Sequence, residues 1–290
     1  MTKTAWVFPG QGSQSVGMGA DLAEVCRDQF TQAQAILGWS VLEISQQEDK
    51  LSSGLYTQPC LYVVECALAD LLLAEGQPPD LVAGHSLGEY SALYVAGVFD
   101  FSSGLRLVKR RAELMSQASA GMMAALMGFD RDELETTIAQ TEGVVLANDN
   151  NPSQVVISGT PAAVEAVMNG VKSKRAVKLN VSGAFHSPLM AEASQEFETV
   201  LAEVPFQDAK VPVLSNVDPS PETAAAVLKD RLIRQMTGSV RWREISLSLP
   251  ERGIDSVVEV GPGKVLTGLI KRTCKDLTLK NVSSVETIER

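Results

Sequence analysis

The order of elements in this 290-residue chain predicts an α/β fold with a largely parallel sheet, interrupted by a small second domain. Three observations lead there. Short apolar strand patterns alternate with helical ones along most of the chain. Between residues 122 and 182 that alternation gives way to the order β-α-β-β-α-β, a split βαβ arrangement. Hydrophobic residues make up 45% of the chain, enough for a sizeable core.

TAWVFPG reads as a buried strand ending in a Pro-Gly turn, followed by helices near 17–37 and 58–76. PDLVAGHS reads as a strand that runs into a turn at Ser86, and LGEYSALYVAGV as the helix that leaves it. A further helix covers roughly 102–119. In the middle segment MMAALMG (122–128), VVLAND (144–149), QVVISG (154–159) and RAVKLNV (175–181) are the strands, with DELETTIAQ and PAAVEAVMNGVKS the helices. The core resumes with a helix from about 187, the strand VPVLSN, helices near 221–236 and 240–251, and the strand DSVVEVG. The expected division is therefore a core of 1–121 and 183–290 with a small domain of 122–182 inserted in it.

The formal net charge of −10 argues against broad nucleic-acid binding, because polyphosphate would be repelled. The amino terminus carries no signal-peptide pattern, and the longest apolar runs are short and interrupted, so no membrane span is expected. Four cysteines without C-x-x-C spacing read as buried free thiols in a reducing compartment. Together these features predict a soluble, cytoplasmic protein.

Gly84-His85-Ser86-Leu87-Gly88 fits G-x-S-x-G, with a strand before it and a helix after it, the setting that presents a serine as a nucleophile. The amide of Leu87 then lies at a helix start, aimed at an acyl oxygen. Activation by imidazole leaves His186, in SGAFHSPLM, as the base, since the only other histidine is the neighbour His85. No Asp or Glu between Ser86 and His186 stands out as an orienting acid; a backbone carbonyl is the alternative. In SSGLRLVKRRAELMSQ, Arg111 shares a face with Leu107 and Met115 and has no acid one turn away. Either its stem packs and its head reaches solvent or a distant carboxylate, or its planar fork awaits a substrate carboxylate. FPGQGSQSVGMG lacks phosphate-loop spacing; its glycines instead suit a close approach to the Ser86 turn, with the Gln11 amide as a second oxyanion donor.

FPGQGSQSVGM, TQPCL, GHSLGEYSAL, Arg111, AFHSPLM and VEVGPGKVLTGLIKR occur in the order and spacing of a known family. From residue 4 to about 272 the chain resembles the malonyl-CoA:acyl carrier protein transacylases of type II fatty-acid synthesis. The resemblance implies a hydrolase-like α/β core with a ferredoxin-like insert. It implies Ser86 as the acylated nucleophile, His186 as base and acid, and the Gln11 and Leu87 amides as the oxyanion hole. Arg111 would hold the malonyl carboxylate. The family's orienting carbonyl, from the residue before a tryptophan, maps to Arg241, before Trp242. Phe185 resembles the residue that malonyl-selective acyltransferase domains of polyketide synthases carry, where methylmalonyl-selective ones have serine. The implied reaction is ping-pong, with malonyl-CoA as donor and the phosphopantetheine thiol of acyl carrier protein as acceptor. No metal or other cofactor is expected, and the chain is expected to act as a monomer. Docking of an acidic carrier protein needs a local basic patch; the candidates are Lys172, Lys174, Arg175 and Lys178, and Lys264, Lys271 and Arg272. A stand-alone acyltransferase of a polyketide synthase and a serine thioesterase or esterase remain the alternatives.

Overall fold

The structure, a computed structural model, describes residues 2–118, 121–181 and 183–288. The end of the helix expected to reach 119, and residues 1, 120, 182, 289 and 290 of the expected domains, lie outside the described residues.

Among the described residues nine strands form two sheets: β1 (Lys3–Phe8), β2 (Leu81–Gly84), β3 (Met122–Phe129), β4 (Val144–Asn151), β5 (Gln154–Gly159), β6 (Ser173–Lys178), β7 (Val213–Leu214), β8 (Ile254–Val260) and β9 (Thr278–Val282). The larger sheet has the order β7-β2-β1-β8-β9 and every pairing in it is parallel. The smaller has the order β4-β5-β3-β6 and is antiparallel throughout. The fold is thus α/β, with a parallel sheet and a separate antiparallel sheet.

The period-2 alternation of a strand explains how both faces of the large sheet are covered. Trp6 and Phe8 of β1 enter one core with the helix Gly54–Ala74, while Ala5 and Val7 enter another with Trp242, Ile245, Leu266 and Ile270. The helix Gly54–Ala74 is long and apolar enough to cross a membrane, contrary to the expectation from its interrupted runs, but 78% of its apolar window is buried inside the fold. It is apolar all round because other elements surround it. The small sheet divides likewise: Ala124, Leu126, Val155 and Ile157 pack under the helices Arg131–Gln140 and Pro161–Gly170, whereas Met123, Ala125 and Val156 face the large core.

Among the described residues five elements escape the sequence reading: the short helices Val41–Ser45, Glu48–Leu51 and Val285–Ile288, the helix Val265–Thr273, and β9. β9, TLKNV, is an edge strand whose pattern is polar enough to pass for loop.

β4 joins the small sheet to the core. Asp149 N–H donates to Val240 O at 2.9 Å and Val240 N–H to Ala147 O at 2.8 Å, so a core residue extends the edge of the small sheet. Asp149, 4% exposed, also accepts from Arg131 at 2.9 Å and from Arg243 Nε at 2.8 Å. Those arginines belong to the small domain's helix Arg131–Gln140 and the core helix Trp242–Glu251. Replacing Asp149 by Ala is expected to lower stability by about 2 kcal/mol, below the figure for a fully enclosed pair because both guanidinium groups reach solvent. A urea midpoint equal to that of the parent chain would contradict this account.

Candidate active site

Among the described residues only two that are not glycine have positive φ, Ser86 at 53° and His186 at 57°. Each such conformation costs about 1–3 kcal/mol and persists only where its surroundings over-determine it. At Ser86 the surroundings are visible. β2 ends at Gly84 and the helix Gly88–Val95 starts two residues after the serine. A Cβ on Gly84 would collide with the main chain of Gly88, and one on Gly88 with the carbonyl of Phe8. Ser86 N–H donates to Asn216 Oδ1 at 2.7 Å, and Asn216 Nδ2 returns to Gly84 O at 2.5 Å. The turn is locked by a side chain that arrives from beyond β7.

His186 comes into the cleft on the segment that follows β6. Its Nδ1 lies 3.0 Å from Gln235 O and 3.1 Å from Gly238 O. Two carbonyls can only accept, so Nδ1 carries the proton and the Nε2 lone pair faces Ser86 Oγ at 2.8 Å. Gln235 is the last residue of the helix Ala225–Gln235, where carbonyls lack intrahelical partners and the dipole favours a cation. The expected carbonyl, that of Arg241, is not the one used. Arg241 is the N-cap of the helix Trp242–Glu251, its carbonyl accepts from Ile245 N–H, and its guanidinium pairs with Glu244.

Arg111 is 1% exposed and its head points into the same cleft. Its terminal nitrogens donate to Gln58 Oε1 at 2.6 Å, Ser86 Oγ at 3.0 Å and Gln235 Oε1 at 3.2 Å. Nε has no partner among the described residues, and the Tyr90 ring lies 5.4 Å away. Leu107 and Met115 of the shared face are buried with it. Of the readings left open by spacing, the one in which the head reaches solvent is excluded.

Gly10 packs so tightly that a Cβ there would lie 2.5 Å from His85 O, which brings Gln11 beside the Ser86 turn. Gln11, Leu87 and Phe185 all line the cavity of about 210 Å³ that contains Ser86, His186 and Arg111. Among the described residues neither the Gln11 nor the Leu87 amide has a protein acceptor. The opposite wall is the small sheet, through Met123, Asn148, Asn150, Gln154 and Val156. His85 turns away from the serine: its Nε2 meets Asn150 Oδ1 at 2.9 Å and its ring packs on Trp242.

Burial holds the His186 ring far below its ordinary range, at about 3, and the Arg111 charge adds to the fall; the two carbonyls oppose it. Burial likewise lowers Arg111, which carboxyl and phenol neighbours raise again. Burial raises Glu89, against hydrogen bonds from Gln235 and Asn216 and the field of Arg111.

Sequence reasoning missed Gln58, Glu89, Asn216, Gln235 and Gly238. The first two lie inside quoted segments, TQPCL and GHSLGEYSAL. The other three carry no local signal, because they reach the site from elements distant in sequence. The candidate docking residues Lys172, Lys174, Arg175, Lys178, Lys264, Lys271 and Arg272 are all exposed, and Lys178 is paired with Glu165 at 2.5 Å.

A strained serine between strand and helix, an imidazole oriented at 2.8 Å and free amides beside them define an enzyme class that forms acyl-serine esters. The acyl transferase domain family matches residues 5–290. The malonyl CoA-acyl carrier protein transacylase of Synechocystis sp. is 61% identical over 287 residues, covering 98% of each chain. The crystal structure of the Synechocystis transacylase superposes with a TM-score of 0.97 at 60% identity, covering 99% of both chains. A malonyl-transacylase solved in complex with its type II PKS acyl-carrier protein gives 0.93 at 38% identity, covering 99% of this chain and 98% of that one. The chain belongs to the acyl transferase domain family, among the malonyl CoA-acyl carrier protein transacylases.

Only neutral imidazole accepts the serine proton, so reactivity is lost as pH falls through the depressed pKa of His186. Acylation of Ser86 by an activated ester should stay level down to about pH 5 and decline only towards about 3. A rate profile half-maximal at 6.5, the ordinary value for histidine, would place the base elsewhere.

Proposed function

We propose that this protein moves a malonyl group from malonyl-CoA to the phosphopantetheine thiol of an acyl carrier protein, by way of a malonyl ester on Ser86. One observation supports this reading above all: a buried guanidinium stands 3.0 Å from the nucleophile and its hydrogen-bond partners are neutral acceptors. A carboxylate carried in on the acyl group would complete it through two charge-assisted hydrogen bonds. An enzyme for neutral esters has no use for such a cation.

His186 Nε2 takes the Ser86 proton as Oγ attacks the thioester carbonyl. The carbonyl oxygen becomes an oxyanion within reach of the Gln11 and Leu87 amides, donors worth about 3 kcal/mol each in such a site. The intermediate collapses, the C–S bond breaks, and the proton on His186 leaves with the sulfur as the CoA thiol. The carrier thiol then enters, His186 removes its proton, and the thiolate attacks the serine ester. Collapse of this second intermediate returns the proton to Ser86 Oγ and frees the malonyl thioester. Thioester is exchanged for thioester, so the reaction needs no external energy source and no metal.

Phe185 beside His186 lines the cavity and would crowd an α-methyl branch. The exposed basic residues on β6 and at the start and end of the helix Val265–Thr273 supply the local positive surface that an acidic carrier requires on an otherwise acidic protein.

Intact-mass measurement after mixing with malonyl-, methylmalonyl- or acetyl-CoA tests the reaction. The expected result is one malonyl group gained, and lost again on adding carrier protein with its prosthetic arm. Methylmalonyl should load more slowly, and Arg111→Ala should abolish the preference for malonyl over acetyl. Spontaneous loss of the group without acceptor would favour a thioesterase, and equal malonyl and methylmalonyl loading would remove the role given to Phe185. Separately, Lys174→Glu with Arg175→Glu should raise KM for carrier protein and leave that for malonyl-CoA unchanged; no change in either excludes this patch.

A further inference from the structure

Beside the nucleophile lies a buried carboxyl group that the transfer steps leave unused. Glu89 follows Ser86 by three residues, on the first turn of the helix Gly88–Val95, and is 1% exposed. Its Oε2 accepts from Gln235 Nε2 at 2.7 Å and from Asn216 N–H at 3.1 Å. No arginine or lysine pairs with it directly among the described residues. A buried acid kept in this way is costly unless it serves its neighbours.

The neighbour is Gln235, fully buried. It touches all three groups of the reaction. Its main-chain oxygen accepts from His186 Nδ1 at 3.0 Å. Its Nε2 donates to Ser86 O at 2.8 Å, and its Oε1 accepts from Arg111 at 3.2 Å. The two ends of an amide have the same shape, so the direction it points is settled by what faces each end. One end of Gln235 meets two acceptors, Glu89 Oε2 and Ser86 O, which demand the NH₂ group there. Oxygen must then face Arg111. Reversed, the amide would point NH₂ at a guanidinium and oxygen at a carboxyl group.

We propose that Glu89 is a positioning residue for the transfer: through the side-chain amide of Gln235 its charge fixes both the carbonyl that holds His186 and the acceptor that aims Arg111. The acid that orients the base in a Ser-His-Asp triad is here moved back by one residue, behind Gln235. The negative charge stays within the network of Arg111 and His186 without occupying the guanidinium face that a substrate carboxylate needs. This inference rests on the malonyl-transfer reading.

Two variants test it. Glu89→Gln keeps the shape and removes the charge. Gln235→Met keeps the main-chain carbonyl and removes the amide. The measurements are the rapid-quench rate of malonyl-ester formation on Ser86, the malonyl-to-acetyl preference, and the melting temperature. Each variant should form the ester at least about tenfold more slowly, as expected for groups in one hydrogen-bonded network. Each should also discriminate less against acetyl, and the double variant should be no slower than the slower single one. A purely structural role would lower the melting temperature and leave the preference intact. Parent-like rate and preference in Gln235→Met, a parent-like Glu89→Gln, or multiplied losses in the double variant would overturn the proposal. Should Glu89→Gln fail to fold, Gln235→Met decides alone. A parent chain that takes up no malonyl group removes the transfer reading and this inference with it. Normal uptake by the parent together with unimpaired variants overturns this inference only.

Discussion

A buried guanidinium without a direct carboxylate partner is the constraint around which this site is arranged. Enclosing an ion costs on the order of several kcal/mol unless hydrogen bonds and an opposite charge compensate. Arg111 obtains the hydrogen bonds from Gln58, Gln235 and Ser86, and a ring contact from Tyr90, but its Nε stays unmatched. On the proposed reading the free enzyme holds a cation ready for an anion. An incoming carboxylate does not have to be stripped of water against an indifferent wall; it completes a half-built pair. The same charge sits within reach of Ser86 Oγ, where it eases the development of negative charge on oxygen, and it helps keep His186 neutral and able to accept a proton.

Among the described residues, strain outside glycine is concentrated on Ser86 and His186, whose side chains meet at 2.8 Å. Positive φ at Ser86 follows from packing: with Gly84 against Gly88 and Gly88 against Phe8, the chain has no other way from β2 into the next helix. The turn raises the hydroxyl into the cleft and leaves the Leu87 amide without a protein acceptor, so the proposed nucleophile and oxyanion donor come from one backbone distortion. His186 has the same unfavourable sign of φ, and two carbonyls and the serine hold its ring. Geometry settled before substrate arrives needs no reorganisation during the reaction, which is where a preorganised site gains over water.

Much of this was legible in the chain itself, for identifiable reasons. G-x-S-x-G between a strand and a helix is a local pattern with a local cause, so Ser86 and Leu87 could be read directly. Arg111 stood out because its neighbours at helical spacing are apolar, and scarcity of histidine pointed to His186. The β-α-β-β-α-β order between Met122 and Lys178 showed because turn residues separate strong patterns. What stayed hidden depends on tertiary contact. Gln235 and Gly238 hold His186 through main-chain carbonyls that any sequence could offer, the side-chain amides of Asn216 and Gln235 belong to no local pattern, and only the fold brings them to the site. The carbonyl expected from Arg241 fails for a local reason: a helix begins there and uses that oxygen itself.

The small sheet takes part in positioning the base as well as lining the cleft. Gly238 O holds His186 Nδ1, and two residues later Val240 pairs with β4 through hydrogen bonds to Ala147 and Asp149. On the same strand Asn150 holds His85, the residue before the nucleophile. His186 itself follows β6, the opposite edge of that sheet. The chain therefore enters the small domain after the helix that carries Arg111, and leaves it at His186. Asp149, gripped from both sides by Arg131 and Arg243, makes the two sheets one frame at the point where Asn148 and Asn150 line the cavity. A relative shift of the sheets would pull Gly238 from the imidazole and Asn150 from the elbow together. A contact of 2.8 Å between nucleophile and base therefore requires that the cleft keep its width.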